Sequence, residues 1–118
     1  MKVFILLAIA FSIGSLSEMC AQSQQQMNQQ ALAEFDKADA ELNKVYAKVQ
    51  AKLDKEGKEK LKAVQRAWVV FRDAQADLDA NIMRGGSAAP MLHSGSMARS
   101  TKQRTLELKE FLKQLEEL

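Results

Sequence analysis

From Phe35 onward, apolar residues recur every three or four positions, a spacing that only a helix can gather onto one face. Phe35, Ala38, Leu42, Val45, Val49 and Leu53 form the first such stripe. "DKEG" at Asp54–Gly57 interrupts it, with Gly57 as the expected turn. A second stripe starts near Lys58 and runs through Leu61, Val64, Trp68, Phe71, Leu78 and Ile82, widened by Ala67, Val70 and Ala74. It should stop at "RGGS", because two adjacent glycines carry the largest backbone entropy cost in a helix. The stretch "GGSAAPMLHSGS" has no period and contains the single proline, Pro90. A third helix is expected from the region Ser96–Ser100, with Met97, Thr101, Arg104, Leu108, Phe111 or Leu112, Leu115 and Leu118 on its stripe. No useful length alternates with period two. The expected fold is all-α: a small antiparallel helical bundle, two long helices in a hairpin plus a C-terminal helix after a Gly/Ser/Pro loop.

The start of the chain follows different rules. "MKVFILLAIAFSIGSLSEMCAQ" has one lysine, an apolar run from Val3 to Ile13, then small and polar residues. That is the layout of a secretory signal peptide, and the run is too short to span a bilayer comfortably. Cleavage is expected after Ala21, giving a periplasmic or secreted product. A lipoprotein anchored through Cys20 fits less well, since Glu18 and Met19 stand where a lipobox wants small residues. After residues 1–21, residues 22–30 ("QSQQQMNQQ") read as a flexible polar lead-in that turns helical near Met27. The helical domain is then 27–118. Cut after Ala21, the domain has no cysteine and so no disulfide.

Charge and chemistry exclude several function classes. Seventeen Lys and Arg stand against fifteen Asp and Glu, a formal net charge of +2, which gives no strong field and no support for nucleic-acid binding. No second apolar run is long enough for an integral membrane span. Asp36 with Asp39, Asp73 with Asp77, and Glu107 with Glu110 each lie along one helix face beside basic residues. Glycan hydrolysis instead needs two carboxylates opposed across a cleft. His93 is the single histidine, with no partners at ligand spacing, so neither a metal nor a cofactor is expected. The serines Ser87, Ser94, Ser96 and Ser100 lack a recognisable base, and "RGGS" follows a helix where a phosphate loop follows a strand. The chain reads as a non-enzyme.

The polar residues on the stripes read as packing devices. Trp68 and Arg72 are four apart, so the guanidinium can lie over the indole. Arg104 occupies a core-facing position and needs a partner to offset its desolvation. Asp39 and Asn43 are the expected partners of Arg104 and Arg72 across the bundle, with Tyr46 one turn further on. Trp68 is expected on the inner face, and Arg66 in solvent.

"AD-AELNKVYAKVQAKL", "LKAVQRAWVVFRDA", "GGSAAPML" and "TKQRTLELKEFL" together resemble the LprI-like lysozyme-inhibitor family, in order, from about Met27 to Leu112. The strongest pieces are Leu42-Asn43 with Tyr46, Gln65 with Trp68 and Phe71-Arg72, Gly85-Gly86-Ser87, and Thr101 with Arg104. The resemblance implies an exported helical domain that binds lysozyme. It makes Asp39, Asn43, Tyr46, Gln65, Trp68, Arg72, Thr101 and Arg104 the structural motif. Family members commonly carry cysteines near the places of Gln30, Ala76 and Ser96; their absence here removes those disulfides and leaves the loop less tightly held. On an inhibitor reading, Arg84–Ser100 enters the enzyme's cleft and offers Arg84, His93 and Arg99 as donors among Gly85, Gly86 and Ser87. The alternative is a structural or adaptor bundle docking on another cell-envelope protein through its C-terminal apolar stripe.

Overall fold

A computed structural model describes residues 15–118; the expected leader's apolar run, Val3–Ile13, lies outside the described residues. Among the described residues three helices make the fold: α1 (Leu16–Lys52), α2 (Lys55–Ala80) and α3 (Ala89–Glu116). A short 3-10 turn, Asn81–Met83, extends α2. Among the described residues there is no strand, and no helix is long and apolar enough to cross a membrane. The architecture is the expected all-α bundle. Its boundaries differ from the expected ones at three places, each for a local reason.

The helix α1 begins at Leu16, well before Met27, so residues 22–30 are helical and not a flexible lead-in. Ser15 caps it by accepting from the Glu18 backbone N–H, and the glutamines that follow are good helix formers. At the other end Gly57 is not the turn. Asp54 caps α2 by accepting the Gly57 N–H at 2.8 Å, and a Cβ on Gly57 would meet Leu53 at 3.1 Å. The glycine thus permits a two-residue link between α1 and α2. Finally α3 starts at Ala89, not near Ser96, with Pro90 in its first turn. Proline there needs no hydrogen-bond donor and its φ is already helical.

Alternate helices run in opposite directions, which makes α1 and α3 parallel. Lys102 reaches Glu34 at 3.7 Å and Lys109 reaches Glu41 at 3.4 Å, with the same offset along both helices. The packing of α3 is closest with α1 and next with α2, while α1 and α2 touch little. Small side chains in the seam (Ala38, Ala98, Thr101, Thr105) let α3 lie close to α1. The apolar core sits toward the α1–α2 link, where Leu42, Val45, Val49, Leu61 and Leu108 are buried. Tyr46, Leu53, Trp68, Leu112 and Leu115 pack around them, so Leu112 and not Phe111 faces inward.

The inner face of α2 is turned from the one its apolar spacing predicts. Leu61, Arg72 and Ala76 are buried and Gln65, Trp68, Gln75 and Asp79 are half-buried, while Val64, Phe71, Leu78 and Ile82 face solvent. The rotation is roughly a quarter turn. Its cause is polar matching: Arg104 and Ser96 of α3 take Gln65 and Asp79 of α2 as partners. With the apolar stripe inward those groups would be desolvated without partners.

Thr101 is fully buried, and its hydroxyl has no hydrogen-bond partner among the described residues. Replacing it with valine keeps the shape and removes the orphan. Thr101→Val should raise the unfolding free energy by about 1 kcal/mol, read from denaturant midpoints at unchanged slope.

Candidate functional site

The end of the bundle opposite the apolar core is small and polar, and the connection between α2 and α3 lies there. Met83–Gly86 forms a hydrogen-bonded turn, with the Gly86 N–H donating to the Met83 carbonyl at 2.8 Å. Arg84 has φ −51° and ψ 127°, and Gly85 has φ +79°. Those angles define a type II turn, which requires glycine at its third position. "RGGS" is therefore a turn specification, and it presents Arg84 at the tip.

The turn is held from both sides. From α1, the Asn28 amide donates to the Ser87 carbonyl at 3.0 Å, and Gln24 bonds Asn28 and approaches the Met91 sulfur at 3.8 Å. Between α2 and α3, Asp79 is the hub. It accepts from Ser96 Oγ at 2.6 Å and from Gln75 Nε2 at 2.9 Å, and Arg99 stands 3.5 Å away. Ala76 and Ser96, two of the places where the family resemblance implies cysteines, are both buried here. The corner is held by hydrogen bonds, and the loop is shorter and better tied than the missing cysteines implied.

The hydrogen bond from Ser96, then that from Gln75, holds the Asp79 carboxyl below its ordinary 3.8, with Arg99 adding a smaller push. A depressed carboxyl stabilises the fold above its unfolded-state pKa, and that contribution is lost as pH falls through the folded value. Ser96→Ala should therefore flatten the decline of thermal midpoint measured between about pH 5 and pH 2. An unchanged decline would show that the Ser96 bond does not link Asp79 to folding.

The expected partner-contacting residues do not form one surface. Arg84, Gly85, Gly86 and Ser87 are contiguous and exposed. His93 and Arg99 lie on α3, not in a loop, and each faces a carboxylate of α2. His93 Nε2 is 3.3 Å from Asp77 Oδ1, and Arg99 is beside Asp79. Among the described residues Arg84 alone of these three side chains has no carboxylate partner.

The expected structural motif separates into two clusters. Arg72 lies between two rings, 5.0 Å from the Trp68 centroid and 5.4 Å from that of Phe35. It pairs with Asp73 at 3.0 Å and stands 3.9 Å from Asp39. Arg104 does not reach Asp39 or Asn43; it donates to Gln65 at 3.0 Å and to Glu107 at 3.2 Å, both close along its own seam. Asn43 is exposed and belongs to neither cluster, and Tyr46 rests on the core. Nothing in the sequence marks Asn28, Gln75 or Asp79 strongly. The spacing of four between Gln75 and Asp79 was the available signal, but helices carry many such pairs.

Among the described residues no three His, Cys, Asp or Glu side chains are grouped to hold a metal, and Cys20 is a free, exposed thiol. This corner presents the exposed Arg84 on a hydrogen-bonded turn. The family described as Lysozyme inhibitor LprI matches residues 17–108, starting earlier than the motifs alone had suggested. An uncharacterized protein of Rhizobium meliloti (strain 1021) is 43% identical over 109 residues, covering 81% of this chain and 78% of the relative. No solved structure matches.

Proposed function

This chain belongs to the Lysozyme inhibitor LprI family, and on that premise we propose that it is an exported, non-catalytic protein that binds lysozyme and protects peptidoglycan. The observation that carries the reading is Arg84: exposed, without a carboxylate partner among the described residues, at the tip of a turn whose backbone is braced by α1. Hydrolysis of a glycoside depends on paired carboxylates across a cleft. A guanidinium presented on a narrow turn can fork onto such a carboxylate, and Gly85, Gly86 and Ser87 permit close approach. A preorganised turn loses little entropy on docking. Since the net charge is +2, local contact and not long-range attraction supplies the affinity for a basic enzyme.

Export rests on the leader, with cleavage after Ala21. Such a cut leaves Gln24 and Asn28 in place, so the brace on the turn survives maturation. The test is lysozyme turnover of cell-wall substrate with increasing amounts of the purified protein. A saturable loss of turnover is expected. Full turnover of several lysozyme classes in the presence of folded protein would remove the inhibitor reading.

A further inference from the structure

The outward apolar stripe of α2 and of the 3-10 turn that extends it is used by neither the fold nor the Arg84 turn. Val64, Phe71, Leu78 and Ile82 are 50%, 61%, 64% and 81% exposed, and Ala67 and Ala74 fall between them on the same face. The stripe runs for about 27 Å. Single exposed apolar residues are ordinary on a protein surface, but an aligned series of this kind marks a contact face.

We propose that a second copy of this chain covers the stripe, with the two α2 helices antiparallel about a twofold axis near Arg72 and Asp73. The pattern is self-complementary in that arrangement. Large and small residues alternate from Val64 to Leu78, so Phe71 falls opposite the partner's Ala74 and Ala67 opposite the partner's Leu78. Val64 falls beside the partner's Ile82. Knobs meet holes twice over, as a twofold interface requires. A parallel pair would set Phe71 against its own copy.

The charges agree with the same register. Arg66 and Asp77 lie on one flank of the stripe, toward opposite ends of α2. In an antiparallel pair like flanks meet, which brings Arg66 to the partner's Asp77 and the converse. Arg66 has no ion-pair partner within its own described chain. Asp77 touches His93, yet its side chain is 77% exposed and its carboxylate can take a second donor. Lys60 would stand at the C-terminal end of the partner's α2, where the helix dipole favours a cation.

One helix pair of this length lies at the small end of specific interfaces, so the dimer should dissociate in the micromolar range. Sedimentation of the purified full chain over a concentration series is the test. A monomer–dimer equilibrium is expected, abolished by Leu78→Glu, a change at an exposed position. Arg66→Glu and Asp77→Lys should each weaken dimerisation about tenfold, and the double variant should restore it. A chain that stays monomeric throughout overturns the proposal. So does a dimer indifferent to Leu78→Glu, or a double variant no better than the singles. None of these results depends on whether lysozyme is bound.

Discussion

Trp68→Ala is expected to lower the unfolding free energy by about 3 kcal/mol, and Arg72→Ala by about 2 kcal/mol. Trp68 is half-buried, with one side against the apolar core and the other under a guanidinium. The loss therefore combines removed area with a lost cation–π contact, and falls at the lower end for a large aromatic truncation. Arg72 has a side chain only 11% exposed. Its two carboxylates stay solvated, so removing it strands no buried charge. The cost is the packing between Phe35 and Trp68 and the attraction of both rings. Arg72→Lys keeps the charge and loses the flat stack, and should cost nearly as much as the alanine. Chemical denaturation of the four members of a double-mutant cycle would measure a coupling near 1 kcal/mol. Independent effects would mean that the stack is only a coincidence of packing.

The second large effect is expected at the turn. Arg84→Glu should weaken lysozyme inhibition at least about 100-fold, because a donor aimed at carboxylates becomes a third like charge among them. The fold should not notice, since Arg84 is exposed and makes no ion pair within the described residues. Arg84→Lys separates charge from geometry: it should cost roughly tenfold if the fork is used, and little if a point charge suffices. Gly85→Val provides a further control. At φ +79° a branched side chain strains the turn by about 1–2 kcal/mol without touching the arginine. Inhibition that survived Arg84→Glu in a folded protein would move the contact away from the turn.

The two predictions draw on features that were unequally legible in the sequence. The stack of Arg72 on Trp68 follows from a spacing of four on a helix, and it is present. The inner stripe of α1 is likewise as its period requires, with Ala38, Leu42, Val45 and Val49 buried. Pro90 sits in a stretch without period, yet a proline is equally suited to open a helix, and the structure uses it so. Arg104 has the polar partner its position requires, but that partner is Gln65 and not Asp39 or Asn43, while Asp39 stands near Arg72. Gln65 lies across the α2–α3 seam, and the identity of that neighbour depends on how α2 is rotated.

That rotation marks the boundary between what residue order dictates and what assembly dictates. Helix content, the capping by Ser15 and Asp54, and the type II turn at "RGGS" are local: each depends on residues within a few positions. Which face of α2 turns inward is not local. Apolar spacing favours the stripe through Val64, Phe71 and Leu78, and a single helix in water has no reason to choose otherwise. Once α3 lies against α1, its Ser96 and Arg104 require partners out of water, and Asp79 and Gln65 are the groups that reach them. An unpaired buried polar group costs more than an exposed leucine. The bundle therefore turns its apolar stripe outward, where a surface for a second molecule is left.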